Sequence, residues 1–347
     1  MSFLNSKLKI SFFGESHGEY IGCTIHHFPP NRILPIEKIK EELRKRHSYA
    51  GNSLRREKES FQIISGIFRG KTTGAPLTFL LANRDVNSEF YEQNEGIVRP
   101  NHSDYTSYIW SDGNPDFRGG GHFSGRLTAL YTIVGAICEE ELKDKNIQVA
   151  SRIQSLHQIE DYSCIDDLSF ASDDFPVADL LKKEEMLAFL QTVTEDSVGG
   201  KVEIIIRNLP QGLGGPLFDR FETKIGQFLF AIPGVKGIEI GDGFDMTTRH
   251  GSEINDWMQY ENKKVQFLSN HSGGIQGGIT NGQDVIIRLG VKPTPSIKKN
   301  QKTVDLLKKK NVMHAVSGRH DVAILLKIVH VARSLTWIML YDCLMGE

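Results

Sequence analysis

Three short segments set titratable side chains among glycines and polar residues: Gly14-Glu15-Ser16-His17-Gly18, Arg99-Pro100-Asn101-His102-Ser103-Asp104 and Gly318-Arg319-His320-Asp321. Histidine is the side chain whose ordinary pKa lies near neutrality, so it can give or take a proton under physiological conditions. Flanking glycines let another molecule approach the backbone. The first segment follows the apolar-alternating run Lys7–Phe13, which places His17 at the end of a strand. One such segment is weak evidence, because most histidines are ordinary surface or core residues. Three of them, spread over almost the whole chain, point to one composite site for acid–base chemistry.

Other segments suit an anion. Gly119-Gly120-Gly121-His122-Phe123-Ser124-Gly125 opens a helical pattern expected to begin near Ser124. Glycines at a helix N-terminus expose N–H groups to negative charge, and they serve equally as a flexible turn with Ser124 as cap. The run is no dinucleotide fingerprint, since it lacks the preceding strand and the later ribose-binding acid. Gly66–Thr72 resembles a phosphate loop, yet too few residues separate its glycines and a strand follows where a helix is needed. The doubled glycines of Gly273–Ile279 allow a flat ligand to lie against backbone. Lys292-Pro293-Thr294-Pro295-Ser296 offers an ammonium and two hydroxyls on a proline-stiffened loop. Both segments also suit tight loops at sheet edges. Arg44, Lys45, Arg46, Arg55, Arg56, Arg118, Arg126 and Arg319 bracket these stretches, a pattern that fits a small polyanionic ligand.

The elements that must position these groups alternate in type. Residues 3–13 and 20–28 read as paired strands around the Gly14–Gly18 turn, and Ile36–Arg46 as an amphipathic helix behind Pro35. Phe61–Ile67 and Ala75–Ala82 read as strands joined by a hairpin, and Ser124–Lys143 as a long helix. Residues 151–185 are polar and irregular, the expected mobile surface region. A second series follows through Lys201–Arg207, Phe218–Phe230, Gly234–Ile240, Asp284–Val291 and Val322–Leu340. Strict βαβ alternation is missing, so the expected class is α+β with antiparallel sheets, in one domain over 1–347.

Bulk composition narrows the function. The 347 residues carry 41 Lys+Arg against 43 Asp+Glu, a formal charge of −2 that advertises neither nucleic acid nor an anionic membrane. Cys23, Cys138, Cys164 and Cys343 lie far apart with no CxxC, which suggests neither zinc nor disulfides and fits a reducing compartment. The N-terminus lacks a basic segment followed by an apolar signal core. Val322–Met345 is apolar, but Lys327, His330 and Arg333 inside it point to a buried helix or strand–helix pair and away from a membrane span. A soluble cytoplasmic protein is expected.

Taken together, Gly14–Gly18, Ser65–Gly74, Arg99–Thr106, Arg118–Gly121, Asp196–Gly200, Pro210–Asp219, Ile232–Phe244, Gly251–Asp256, Gly273–Gly282, Lys292–Ser296 and Gly318–Asp321 resemble the chorismate synthase family, in the family's order over nearly the full chain. The resemblance implies a lyase of the shikimate pathway, which leads to aromatic amino acids. It would convert 5-enolpyruvylshikimate 3-phosphate to chorismate by anti-1,4-elimination of phosphate, with reduced FMN (FMNH2) as cofactor. It implies a β-α-β sandwich with helices between antiparallel sheets, assembled as a homotetramer. The sequence leaves open whether NADPH reduces the flavin on this chain. With no Rossmann-like module visible, a separate flavin reductase is the expected source.

By the same resemblance His17 would protonate the departing phosphate, His102 would protonate or steady the anionic ring edge of the flavin, and Asp321 would help take the proton. Ser16, Lys45, Arg46, Arg126 and Arg319 would hold substrate. FMN would contact His122, Phe123, Ser124, Asn255, Gly277, Lys292, Pro293, Thr294, Pro295, Ser296 and Arg319. The chain also departs from the family. Lys45–Gly51 stands for Arg-Arg-Pro-Gly with a later Arg missing, His122-Phe123-Ser124-Gly125-Arg126 stands for Arg-Ser-Ser-Ala-Arg, and Val322 stands where a proline follows Asp321. The thinned arginines leave a second reading, a non-catalytic paralogue that binds flavin or an anionic metabolite.

Overall fold

The computed structural model describes residues 3–48, 60–84, 86–316 and 321–345. The alternation at the start of the chain forms β1 (Phe3–Asn5), β2 (Lys9–Gly14) and β3 (Tyr20–His26), and β2 pairs with β3 from Lys9–His26 to Gly14–Ile21. The Gly14–Gly18 turn therefore sits at the end of a strand pair inside a sheet. Gly14 has φ +97°, and a Cβ there would lie 2.4 Å from the Tyr20 carbonyl oxygen, so the turn requires glycine. β4 (Phe61–Ser65) and β7 (Leu77–Ala82) join the sheet in the order β1-β2-β3-β7-β4, antiparallel throughout. The small hairpin of β5 (Ile67–Phe68) and β6 (Lys71–Thr72) fills the Gly66–Thr72 segment, with no helix for a phosphate to approach.

The second sheet, also antiparallel, takes β8 (Gln148–Leu156), β9 (Ile159–Glu160), β10 (Gly200–Arg207), β11 (Val235–Ile240) and β16 (Val285–Val291) in the order β11-β16-β10-β8-β9. Two hairpins precede β16, β12–β13 (Met258–Glu261, Lys264–Phe267) and β14–β15 (Ile275–Gln276, Ile279–Thr280). The hairpin β17–β18 (Gln301–Asp305, Lys310–His314) follows it.

Helices fill the space between the sheets. α1 (Ile36–Ser48) and α4 (Thr128–Glu141) pack together under β3, and α4 lies along α8 (Leu325–Leu344), which covers β8 and β10. α6 (Phe221–Leu229) flanks α8. The apolar C-terminal run is explained by this position, since 17 of the 20 residues of α8 are buried. Among the described residues no helix is long and apolar enough to cross a membrane. The fold is α+β with helices between two antiparallel sheets, as expected.

Two expectations are corrected. Residues 151–156 belong to buried β8, 159–160 to β9, and residues 180–192 form α5 (Leu180–Thr192), so only 161–179, with one short 3-10 turn, is irregular. The buried polar residues of β8 misled because partners from other elements meet them inside, the Gln154 side-chain oxygen excepted. Arg152 pairs with Glu203 and Asp161, and Ser151 donates to the Val329 carbonyl at 2.7 Å. The helix after the glycine run begins at Thr128, because two 3-10 turns, Gly121–Phe123 and Gly125–Leu127, intervene. The three glycines thus do not form the N-terminus of α4.

α4 meets α8 at Gly135, where a Cβ would lie 2.5 Å from the Ser334 carbonyl oxygen and 2.7 Å from its Cα. Alanine is favoured over glycine in a helix interior by about 1 kcal/mol. Overpacking against backbone that cannot move aside costs about 1–3 kcal/mol. Gly135→Ala is expected to lower the denaturation midpoint, and a raised midpoint would contradict the close packing of these helices.

Candidate active site

The turn after β2 is stitched to the glycine run. The Ser16 N–H donates to the Gly121 carbonyl at 3.1 Å, and His122 Nδ1–H donates to the Gly14 carbonyl at 2.8 Å. Asn83, just past β7, donates to the carbonyls of Glu15 and Gly18 at 3.0 and 2.8 Å. Its Oδ1 accepts from Arg126 Nε at 2.9 Å, so one amide ties this turn to a buried arginine. His17 is held from two sides. Its Nδ1 bonds the Ser88 hydroxyl at 2.9 Å, and its ring meets Tyr91 edge-on at 5.1 Å. Gly119, at φ +68°, closes a third side, for a Cβ there would lie 2.5 Å from His17 Nε2.

The second histidine is built on a buried ion pair. Arg99 and Asp104 are both 6% exposed. Arg99 Nε and Nη2 donate to the two Asp104 oxygens at 2.7 Å each, and the Arg99 backbone N–H adds a bond of 2.9 Å. His102 Nδ1 reaches Asp104 Oδ1 at 2.6 Å. Burial pushes the Asp104 carboxyl up, but the Arg99 guanidinium and His102 outweigh it and hold it well below the usual carboxylate range. Burial lowers His102 below the ordinary imidazole value. The Asp104 bond only partly offsets this, and the charges of Arg99 and Lys292 add to the lowering. Asp104 sits at the start of α3 (Asp104–Trp110), where the chain turns through Asn101 at φ +57°.

Both histidines open on one cavity of about 820 Å³. Adjacent glycines separate them, since a Cβ on Gly120 would lie 3.5 Å from His102 Cε1 while Gly119 abuts His17. The walls carry Arg46, Arg99, Arg126, Lys292 and Lys327 against the carboxylates Glu89 and Asp321, an excess of positive charge on a near-neutral protein. Arg46 is buried and donates to the Gly125 carbonyl at 2.9 Å and to Thr128 Oγ1 at 3.1 Å. Asp321 receives Lys327 Nζ on both oxygens at 2.9 and 2.8 Å. Burial and the charge of Lys236 lower the Lys292 ammonium.

The Asp196–Gly200 motif assembles this far wall. Ser197 donates to the Thr294 carbonyl at 2.6 Å, and the Val198 N–H holds Val322 at 2.9 Å, next to Asp321. A Cβ on Gly199 would lie 2.3 Å from the Val291 carbonyl oxygen, so the loop after β16 can pass only a glycine.

Of the residues singled out in the sequence, the cavity brings together Ser16, His17, Arg46, His102, Phe123, Ser124, Arg126, Lys292, Thr294, Pro295, Ser296 and Asp321. Lys45, His122, Pro293, Asn255 and Gly277 do not line it. Lys45 pairs with Glu42 at 3.0 Å, and His122 turns to the Gly14 carbonyl as described. Asn255 ends the short helix α7 (Gly251–Ile254), and Gly277 lies in the β14–β15 turn at φ +61°. Arg55, Arg56 and Arg319 lie outside the described residues. Arg44 and Arg118 are engaged by Asp174 and Asp116. Sequence reasoning passed over Asn83, Ser88, Tyr91 and the pairing of Arg99 with Asp104, and it read Gly119 only as part of an anion-binding run or turn. Arg99 and Asp104 stand five apart in a quoted motif, the one signal that could have marked them.

Comparisons with known proteins agree along the whole length. A family model described as chorismate synthase matches residues 8–345. The chain is 38% identical to a chorismate synthase of Dehalococcoides mccartyi over 347 residues, covering 98% of this chain and 95% of that protein. It is 39% identical to one of Thermococcus gammatolerans, covering 97% and 96%. A solved structure titled as the crystal structure of chorismate synthase superposes with a TM-score of 0.74 at 27% identity, covering 97% of this chain and 91% of the other.

Gly119→Ala must push the His17 ring aside and hold alanine at a left-handed φ. A displacement on the order of 1 Å of a reacting group can cost about 10²-fold in rate. The variant is expected to lose at least that much turnover while its circular dichroism stays that of the parent. Parental turnover would contradict the packing of His17 on Gly119.

Proposed function

The chain belongs to the chorismate synthase family, and from that premise we propose that the cavity between His17 and His102 is where it makes chorismate. The family's reaction removes phosphate and a ring proton across a 1,4 relationship. The C–O electron pair leaves on phosphate, and the C–H pair enters the new diene with no net redox change. The observation that carries the assignment is the pairing of two separately held imidazoles with buried arginines in one cavity.

The substrate bears two carboxylates and a phosphate, and Arg46, Arg126 and Lys292 supply fixed positive charge for them. Ser16, buried at the strand end, adds a hydroxyl beside them. His17, braced by Ser88, donates the proton that lets phosphate depart. Asp321, set by Lys327, accepts a proton.

The residues present fit the reduced FMN that the family requires. At about 820 Å³ the cavity lies toward the upper end of the roughly 300–1,000 Å³ of small-molecule sites. Thr294 Oγ1, in its wall, is buried without a hydrogen-bond partner among the described residues. Phe123 offers an aromatic face, and Lys292 and Ser296 offer donors for a phosphate tail. When bound, the flavin supplies transient electron density that eases C–O cleavage. His102 faces the site with its second ring nitrogen to hold or move a proton.

A separate flavin reductase is the proposed source of reduced FMN, and the cytoplasm the proposed compartment. A homotetramer is the proposed assembly. The exposed Trp257, Met258, Tyr260, Val265 and Leu268 around the β12–β13 hairpin support it, since large apolar side chains grouped on a surface favour burial against another chain. Asn255, beside this hairpin, and Gly277, in the β14–β15 turn, lie outside the cavity, so a contact of theirs with flavin would have to come from a second copy of the chain. The intact histidines and carboxylate favour the enzyme over the non-catalytic reading.

An anaerobic assay with 5-enolpyruvylshikimate 3-phosphate and chemically reduced FMN tests the function. Phosphate release with the absorbance of chorismate is expected, falling about 10²–10⁴-fold in His17→Ala and in His102→Ala. Flavin binding without turnover would establish the non-catalytic reading.

A further inference from the structure

Arg99 is placed where one side chain touches most of what orients the two histidines. Its fork grips both oxygens of Asp104, its Nη2 also donates to the Gly119 carbonyl at 3.0 Å, and its Nη1 reaches Ser296 Oγ at 3.3 Å. Its guanidinium lies over the Tyr91 ring, 5.4 Å from the centroid, and Tyr91 meets His17 edge-on. Every donor direction of the fork except one is used, so the guanidinium has a single orientation and the carboxylate cannot turn.

That arrangement settles a proton position. A carboxylate held by a buried guanidinium is ionised, and an ionised carboxylate accepts hydrogen bonds but donates none. The hydrogen between His102 and Asp104 therefore belongs to Nδ1, which leaves the lone pair on Nε2, the nitrogen that remains for the cavity. With the wrong tautomer, Nε2 would present a hydrogen and could not accept a proton. We propose that Arg99 and Asp104 are positioning residues: together they lock His102 as the Nδ1–H tautomer and so set which atom it offers to the bound molecules. The proposal rests on the cavity being the reaction site. The other charged groups near His102 and the clamp are Lys292, which donates to the Asn101 carbonyl, and His314, stacked on Phe90 at 5.8 Å. Neither contacts the His102–Asp104 bond, and the Ser103 hydroxyl, the other group near His102 Nδ1, lies at 3.4 Å against 2.6 Å for the carboxylate, so the carboxylate sets the tautomer.

Removing one partner leaves the other charge buried and alone, which can unfold the chain, so two variants are needed. Asp104→Asn keeps shape and removes the charge. Arg99→Met with Asp104→Leu removes both charges and keeps the apolar volume. The protein is labelled with ¹⁵N-histidine, and the His102 resonances are assigned by their loss in His102→Gln. Nitrogen shifts then report the tautomer without any assay of activity, while kcat and KM are measured with reduced FMN.

The wild type should show Nδ1 protonated and Nε2 bare at pH 7.5. Both variants should populate the Nε2–H form. Their kcat should fall about 10²–10⁴-fold, the contribution of one positioned acid–base group. KM should stay within about threefold, since binding is left to Arg46, Arg126 and Lys292. A folded double variant that keeps the Nδ1–H form overturns the proposal. So does a changed tautomer with unchanged kcat, or a lost kcat with an unchanged tautomer. If the wild type makes no chorismate, the proposed reaction fails, while the nitrogen shifts still decide whether the pair controls His102.

Discussion

A buried guanidinium–carboxylate pair, Arg99 with Asp104, is the constraint on which the site depends. Burying two charges costs several kcal/mol per ion unless their remaining donors and acceptors are met. Here they are met by the Arg99 N–H, His102, the Gly119 carbonyl and Ser296. A lysine would supply the charge without the planar fork, and so could not hold a carboxylate, a carbonyl and a hydroxyl in fixed directions. The polar groups retained here orient the two histidines, and buried charges elsewhere, such as Arg152 with Glu203 and Asp161, are paired in the same way.

The layers explain how residues so distant in sequence meet. Strand pairing in the first sheet presents the Gly14–Gly18 turn, and β7 delivers Asn83 beside it. The second sheet presents the loop after β16, and α8 begins next to Asp321. α4 and α8 join the two halves by packing closely enough to require glycine at position 135. Because the site spans both halves, its geometry depends on how the helices hold the sheets. A polar ladder of Arg333 with Glu42 and Glu139 ties α8 to α1 and α4 at 2.9 and 2.6 Å. That ladder also keeps the end of α1, and with it Arg46, against the cavity.

Much of this was legible before any coordinates. Period-two alternation at residues 3–13 and the apolar spacing of Ile36, Ile39 and Leu43 reported local structure directly, because each reflects one buried face. The histidines and the buried arginines were legible as residue types in polar, glycine-rich segments. Three kinds of feature were hidden. The polar residues of β8 looked like surface because nothing local shows that Glu203 and Asp161 will meet Arg152. The start of α4 was misplaced because the glycines after Arg118 take left-handed or extended backbone and insert 3-10 turns before the helix. His122 looked like a replacement for an arginine, yet it serves the Gly14 carbonyl, a partner 108 residues away. Residues Asn83, Ser88 and Tyr91 act through other side chains, and a role exerted through a partner leaves no composition signal.

The most direct measurement is the structure of the protein with substrate and oxidised FMN bound. Oxidised flavin cannot support the reaction, so the complex is trapped before turnover. The phosphate-bearing oxygen should lie within about 2.6–3.2 Å of His17, the reach of a proton donor. The carboxylates should face Arg46 and Arg126, and the flavin should lie beside His102 Nε2. Ligands bound elsewhere, with His17 and His102 touching neither, would contradict the placement of the chemistry in this cavity.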